Sequence, residues 1–176
     1  MPVVPVERNE YAEPNAGAFI FGYGFLPGGA PEPLSWDDVR QSAACPRAGW
    51  RWLHFNRLAD QTRTWLETVS DLDDVVIASL LQSETRPRCV AHDGGVILNL
   101  RGVNHNPGAE PEDMISVRIW AEASLVVSMR SYPVKAVHQV RDKVVGGETP
   151  ASPGDLLAMI AAQLVEAIEP VIDQLH

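Results

Sequence analysis

The stretch "RCVAHDGGVILNLRGV", Arg88–Val103, decides the fold class. Two β-rich runs flank Asp93-Gly94-Gly95, a tight-turn signal that folds them into a hairpin. Two more β-rich runs follow, "ISVRIWAE" from Ile115 and "LVVSMRS" from Leu125, with no helical pattern between them. Upstream, "GWRWLHFN" (Gly49–Asn56) alternates, with Trp50, Trp52 and His54 on one face and Arg51, Leu53 and Phe55 on the other. "AGAFIFGYG" (Ala16–Gly24) reads as the first strand. The helical signals lie elsewhere. Ser35 followed by Asp38 in "SWDDVRQSA" is a capping-box start. "DQTRTWLETV" and "DDVVIASLLQ" are two short helices, and Pro87 in "ETRPR" closes off the second. "PVKAVHQVRDKVV" is an amphipathic helix stopped by Gly146 and Gly147, with His138 expected on its surface. Strands in series beside separate helices predict an α/β domain with a mixed, largely antiparallel sheet, not a regular βαβ alternation.

The last segment is a long helix. Ser152, Pro153 and Asp155 supply an N-cap, a first-turn proline and an acidic third position. Leu156, Ile160, Leu164, Ile168, Ile172 and Leu175 recur near helical spacing, and Leu157, Ala161 and Val165 widen the stripe. Asp155, Glu166, Glu169 and Asp173 are its charges, with no Lys or Arg to match the C-terminal end of the macrodipole. No Gly or Asn cap follows Gln174, so the helix is expected to continue beyond His176, with a kink at Pro170. The expected organisation is a mobile Pro-rich arm (1–16), an α/β domain (17–150) and a C-terminal helix (151–176) that opens a helical stalk.

Composition narrows the function. The chain has 176 residues, 45% hydrophobic and 21% charged, enough for one core. Fourteen Lys and Arg against 23 Asp and Glu give −9, which repels nucleic acid and attracts cations. Cys45 and Cys89 form no CxxC pair and are read as small buried side chains in a reducing compartment. No basic, apolar leader opens the chain, and no apolar run reaches the ~18 residues of a membrane span.

Four places could carry chemistry. His105 with Glu110, Glu112 and Asp113 is a concentration of possible ligands, but Pro107, Gly108 and Pro111 describe a loop between strands. Its spacing fits neither a zinc nor an EF-hand pattern. His92 and Asp93 sit at the hairpin turn. His54 belongs to an apolar strand and reads as a core histidine. "FGYGFLPGG" offers Gly22, Gly24, Gly28 and Gly29 after a strand, yet three prolines delay the next helix to Ser35, so a dinucleotide fingerprint is missing. No P-loop, Gly-x-Ser-x-Gly elbow or HExxH occurs, so no enzyme signature is visible.

At "WLHFN", "ETRPR", "LRGVN", "PEDMISVRIW", "LVVSMR" and "IDQLH" the order and spacing resemble the soluble domain of CorA-type divalent-metal transporters, nearest the zinc-transporting ZntB branch. The likeness runs from about Phe19 to His176. It implies an α/β/α sandwich leading to a stalk helix, two membrane helices in the full protein, and five copies around an ion path at the cytoplasmic face of the bacterial inner membrane. The Gly-Met-Asn pore signature is absent here, for Met114 follows Asp113. An acidic residue that joins a regulatory metal site in the magnesium branch corresponds to Ser79, and a hydroxyl cannot replace a carboxylate for a hard cation. The zinc-like branch is favoured. In this likeness Trp52 and His54 belong to the strand framework. Arg86, Pro87 and Arg88 form a structural turn rather than a phosphate clamp. Arg101, Asn104, Glu112, Asp113 and Arg118 hold the sheet and the loop between its strands.

The resulting expectation is a non-enzymatic regulatory and assembly domain. Its acidic walls would gather Zn2+ or Mg2+ as transported or weakly held ions, with no tightly bound cofactor, and its partners would be copies of itself. The fragment alone could be a monomer or dimer. Weak cation sites would draw on His92, Asp93, His105, Glu112 and Asp113. Two rival readings stand beside it. One is a metal-dependent hydrolase joining His54, His92, Asp93 and His105. The other is an α/β ligand-binding module using the "FGYGFLPGG" loop.

Overall fold

The computed structural model describes residues 17–44, 48–83, 86–110 and 112–174. The N-terminal arm, Cys45, Pro111, Leu175 and His176 lie outside them. The strands are β1 (Phe19–Phe25), β2 (Glu32–Pro33), β3 (Trp50–Asn56), β4 (Arg88–His92), β5 (Gly95–Gly102), β6 (Ile115–Ala121) and β7 (Leu125–Arg130). The helices are α1 (Trp36–Gln41), α2 (Asp60–Thr68), α3 (Asp74–Leu81), α4 (Lys135–Val145), α5 (Pro153–Glu166) and α6 (Glu169–Gln174). The sheet order is β2-β1-β3-β7-β6-β5-β4. Only β3 and β7 run parallel, Trp52 against Val126 and His54 against Ser128, and the other pairs are antiparallel. The mixed, largely antiparallel sheet of the sequence reading is therefore the sheet observed.

Each face of the sheet carries its own helical layer. Alternation sends Trp52, Val117, Ile119 and Val126 to one side, where α4 and α5 cover them with Val137, Val140, Leu156, Ile160 and Leu164. The opposite set, Leu53, Phe55, Trp120, Val127 and Met129, packs under Val39 of α1, Trp65 and Leu66 of α2, and Val76 and Leu80 of α3. Central strands β3, β6 and β7 are thus buried on both faces, and the whole is an α/β/α sandwich. Local caps fix the helix starts. Ser35 and Asp38 complete a reciprocal capping box, Asp73 caps α3, and Ser152 accepts from the Asp155 amide.

Two expectations need correction. His138 is 1% exposed, because its ring faces the sheet, against Phe21 of β1 and His54 of β3, and α4 buries a wide arc rather than a single stripe. Cys89 is exposed, since β4 is the outermost strand. At the C-terminal end the helix breaks after Glu166. The ring at Pro170 would meet the Glu166 carbonyl four residues back, and Pro170 has no N–H to offer it. Beyond Leu164 the apolar stripe is open to solvent, with Val165 and Ile172 both exposed.

Candidate functional site

The sequence-selected residues fall in four separate environments. On β3, Trp52 Nε1 donates to Ser128 Oγ at 2.9 Å, and His54 Nδ1 lies 2.7 Å from the same hydroxyl. The His54 ring stacks on Phe21 at 4.8 Å and meets His138 edge-on at 6.2 Å. Burial holds His54 well below the ordinary histidine range, and the neighbouring His138 adds to the effect. It is a core residue on the inner face of the sandwich.

His92 ends β4, where its Nε2 lies 2.7 Å from Asp73 Oδ2 and 3.8 Å from Asp93 Oδ2. Among the described residues, Asp73, His92 and Asp93 are the group that could share a metal ion, and neither His54 nor His105 joins it. The geometry serves structure first. Asp73 Oδ1 accepts from the Val75 and Val76 amides at 2.9 and 3.0 Å, capping α3. Those amide bonds, that of Val76 foremost, and then the His92 hydrogen bond hold the Asp73 carboxyl below its usual range. The 2.7 Å contact already engages His92 Nε2 with Asp73, so a cation at that nitrogen would have to displace this hydrogen bond. Asp93 at φ +37° and Gly94 at φ +77° turn the hairpin in the left-handed region.

The loop between β5 and β6 is knit by its own bonds. Asn104 Oδ1 accepts from the Asn106 amide at 3.0 Å, Asn106 Nδ2 donates to the Pro133 carbonyl at 3.1 Å, and the Asp113 amide donates to Glu110 O at 3.0 Å. Partial burial and then Lys135 lower the His105 pKa. A lysine beside it opposes a cation at the same place. Of the "FGYGFLPGG" glycines, Gly22 and Gly24 lie within β1, and Gly28 and Gly29 make the turn, with the Gly29 amide donating to Leu26 O, while α1 begins only at Trp36.

One arrangement was not foreseen. Antiparallel register sets Arg88 of β4, Asn99 of β5 and Arg118 of β6 side by side across the sheet, with Arg101 and Ser116 in the adjoining row. These residues form the floor of a pocket of about 790 Å³ just past the end of α3, with Gln82, Ser83, Arg86, Ser131 and Tyr132 around it. Arg118 is 3% exposed; its Nε donates to Gln82 O at 2.9 Å and its Nη2 to Ser83 O at 3.0 Å. Burial, with Arg57 and Arg101 close by, pushes Arg118 down to about 10. Arg88 Nη2 donates to Ser79 Oγ at 3.3 Å, and Asn99 can turn its amide oxygen to the Arg88 Nε at 3.1 Å. The family likeness had singled out Arg86, Arg88, Arg101 and Arg118 as turn and sheet residues; the signal for their grouping was four polar positions, Asn99, Arg101, Ser116 and Arg118, at alternate places on two otherwise apolar strands.

The fold and these sites can be set against known proteins. Residues 47–176 match the family described as CorA-like Mg2+ transporter protein. The chain belongs to the CorA family. Within it, this CorA-family chain is 35% identical to the divalent cation transporter CmaX of Pseudomonas aeruginosa over 122 residues, 69% of this chain and 37% of CmaX. It is 29% identical to the zinc transport protein ZntB of Pectobacterium carotovorum over 125 residues, 71% of this chain and 38% of that protein. The crystal structure of the ZntB cytoplasmic domain from Vibrio parahaemolyticus superposes with a TM-score of 0.78 at 28% identity, covering 90% of this chain and 62% of that one. The CorA-family chain thus spans well under half the length of the two transporters it matches. No helix among the described residues is long and apolar enough to cross a membrane.

Proposed function

We propose that this chain is the cytoplasmic regulatory and assembly domain of a ZntB-like divalent cation transporter that carries Zn2+. The observation that carries the proposal is the likeness to CmaX and ZntB proteins over the same α/β/α unit. The net charge of −9 favours accumulation of cations over bulk solution, and acidic walls around a central path would use that charge. Self-association would draw on the apolar stripe left open beyond Leu164, where Val165 and Ile172 present side chains that a neighbouring helix or stalk can cover. Helix α5 would pass movement between the sheet and such a stalk, because its other face is locked into the core by Leu156, Ile160 and Leu164.

Cation contacts in this domain are weak and exchangeable. Tight zinc needs a closed Cys/His set, whereas here the candidates are His92, Asp93 and Asp73, with His105, Glu112 and Asp113 as solvated neighbours of the ion path. Calorimetric titration of the 176-residue chain with zinc, run beside sedimentation velocity, is the test. Low-affinity heat that fades with salt, together with a zinc-dependent shift to larger species, is expected. Absence of both the heat and the shift would remove the sensing role and leave only assembly.

A further inference from the structure

We propose that two copies of this chain pair edge to edge through β4, antiparallel and centred on Val90, in a contact separate from the apolar stripe of α5 and α6. Among the described strands, β2 and β4 end the sheet. They end it differently. β2 is Glu32–Pro33 only, two residues whose proline has no N–H to offer a further strand. β4 has five residues, Arg88–His92, in unbroken register with β5 from Arg88↔Asn99 to His92↔Gly95. It carries no proline, lysine or bulge, the devices that ordinarily keep an edge from pairing, and its basic residues stand only at its two ends. Arg88, Cys89, Val90 and Ala91 are all exposed.

The hairpin fixes which backbone groups are on offer. His92 and Gly95 flank the turn made by Asp93 and Gly94, so His92, and by alternation Val90 and Arg88, exchange their N–H and C=O bonds with β5. The N–H and C=O of Cys89 and Ala91 then point away from the sheet. An antiparallel copy centred on Val90 sets Cys89 against the partner's Ala91 and Ala91 against the partner's Cys89, which satisfies all of these groups on both chains. Moving the centre spoils the match. Centred on Cys89, the pairing would bring Pro87, which has no N–H, against the partner's Ala91. Centred on Ala91, it would bring Asp93, already in the left-handed turn, against the partner's Cys89.

The side chains favour a second copy as the occupant. Val90, 45% exposed in the single chain, meets the partner's Val90 across the two-fold axis as a β-branched pair, with Cα atoms about 4.5 Å apart. Val75 lies one turn before Ser79 on the α3 face that meets Arg88, and it is 54% exposed. The same register places Arg88 opposite the partner's His92. In each chain His92 Nε2 lies 2.7 Å from Asp73 Oδ2 and 3.8 Å from Asp93 Oδ2, and both carboxylates reach solvent. Each guanidinium therefore arrives at an acidic group of the other copy, as an isologous contact requires. Within its own chain Arg88 donates to the neutral Ser79 hydroxyl. This local complementarity offsets the repulsion between two chains that each carry −9.

Sedimentation velocity of the full chain at rising concentration, with chelator present, is expected to show a monomer–dimer equilibrium that needs no zinc. Ala91→Pro removes an outward N–H and spares the bonds to β5, so it should weaken the dimer at least about tenfold while the unfolding midpoint stays near that of wild type. Arg88→Glu turns the attraction into repulsion and should weaken it about tenfold as well. Val165→Ser, on the helical stripe, should leave it unchanged. Cross-linking reads the register independently. With Cys45 and Cys89 replaced by Ser, Val90→Cys should form an intermolecular disulfide on mild oxidation, because the two-fold pair has the separation a disulfide needs. Leu58→Cys in the same background, exposed elsewhere, should form none. The proposal is overturned by a chain that stays monomeric at every concentration, by a Val90→Cys variant that cross-links no better than Leu58→Cys, or by a dimer that Ala91→Pro leaves intact.

Discussion

Gly95 shows how a residue can be legible in sequence for one reason and required in structure for another. As the second glycine of Asp-Gly-Gly it reads as part of a turn. In the fold, a Cβ at this position would run into the Trp120 ring and stand 2.7 Å from the Ala121 carbonyl oxygen. The ring is 3% exposed and the carbonyl belongs to β6, so neither can yield cheaply. Gly95→Ala should therefore cost about 1–3 kcal/mol, read as a lower urea midpoint at unchanged m-value. A midpoint equal to wild type would show that β5 can move away from Trp120. His138 teaches the converse. Helical periodicity marks one apolar stripe and leaves a histidine outside it, but the buried arc of α4 is wider than that stripe and turns the His138 ring onto Phe21 and His54 of the sheet.

Among the elements, α5 joins local signals to tertiary consequences most clearly. Ser152 Oγ accepts from the Asp155 amide at 3.2 Å, and Asp155 Oδ2 in turn accepts from the Ala151 amide at 3.1 Å. Both bonds follow from residue types readable in "ASPGD". Ser152→Ala should lower stability by about 1 kcal/mol, measured by urea unfolding. Loss below a few tenths would mean that packing of Leu156 and Ile160 alone sets the helix start. The other end behaves differently. Proline chemistry predicts a kink at Pro170 within one long helix, whereas the structure ends α5 at Glu166, so that α5 and α6 are separate helices. The arginine pocket also belongs to this scale. It exists because β4, β5 and β6 pair in one register, and a slip by a single residue would send Asn99 and Arg118 to the opposite face.

For the molecule as a whole, the inner layer contains two titratable rings in an apolar setting. Burial, reinforced by Arg141 and Arg130, lowers His138 to about 4, and His54 lies well below the ordinary value of 6.5. The sign follows directly. A folded pKa below the unfolded one means that above pH ~6.5 neither state binds the proton and stability is whole. As pH falls from about 6.5 towards 4, the unfolded chain takes up protons that the fold refuses, and stability drops by up to ~1.4 kcal/mol per pH unit for each histidine. Urea unfolding between pH 7.5 and 4.5 should show this decline, and His138→Phe should lessen its slope. An unchanged slope in that variant would assign the acid sensitivity to other groups.

What the sequence determined by itself is local and periodic. The hairpin at Asp93-Gly94, the caps at Ser35 and Ser152, the two-faced alternation of β3, and the bend expected at Pro170 all rest on interactions within a few residues. The phrases that resembled the CorA family were legible too, and the family match bears them out. Tertiary structure alone decided which distant residues meet. The parallel pairing of β3 with β7, the pairing of His92 with Asp73 nineteen positions earlier, and the convergence of Arg86, Arg88, Arg101 and Arg118 depend on strand register and layer packing. Those are long-range terms, fixed when each face of the sheet finds its own helices, and no local spacing in the chain encodes them.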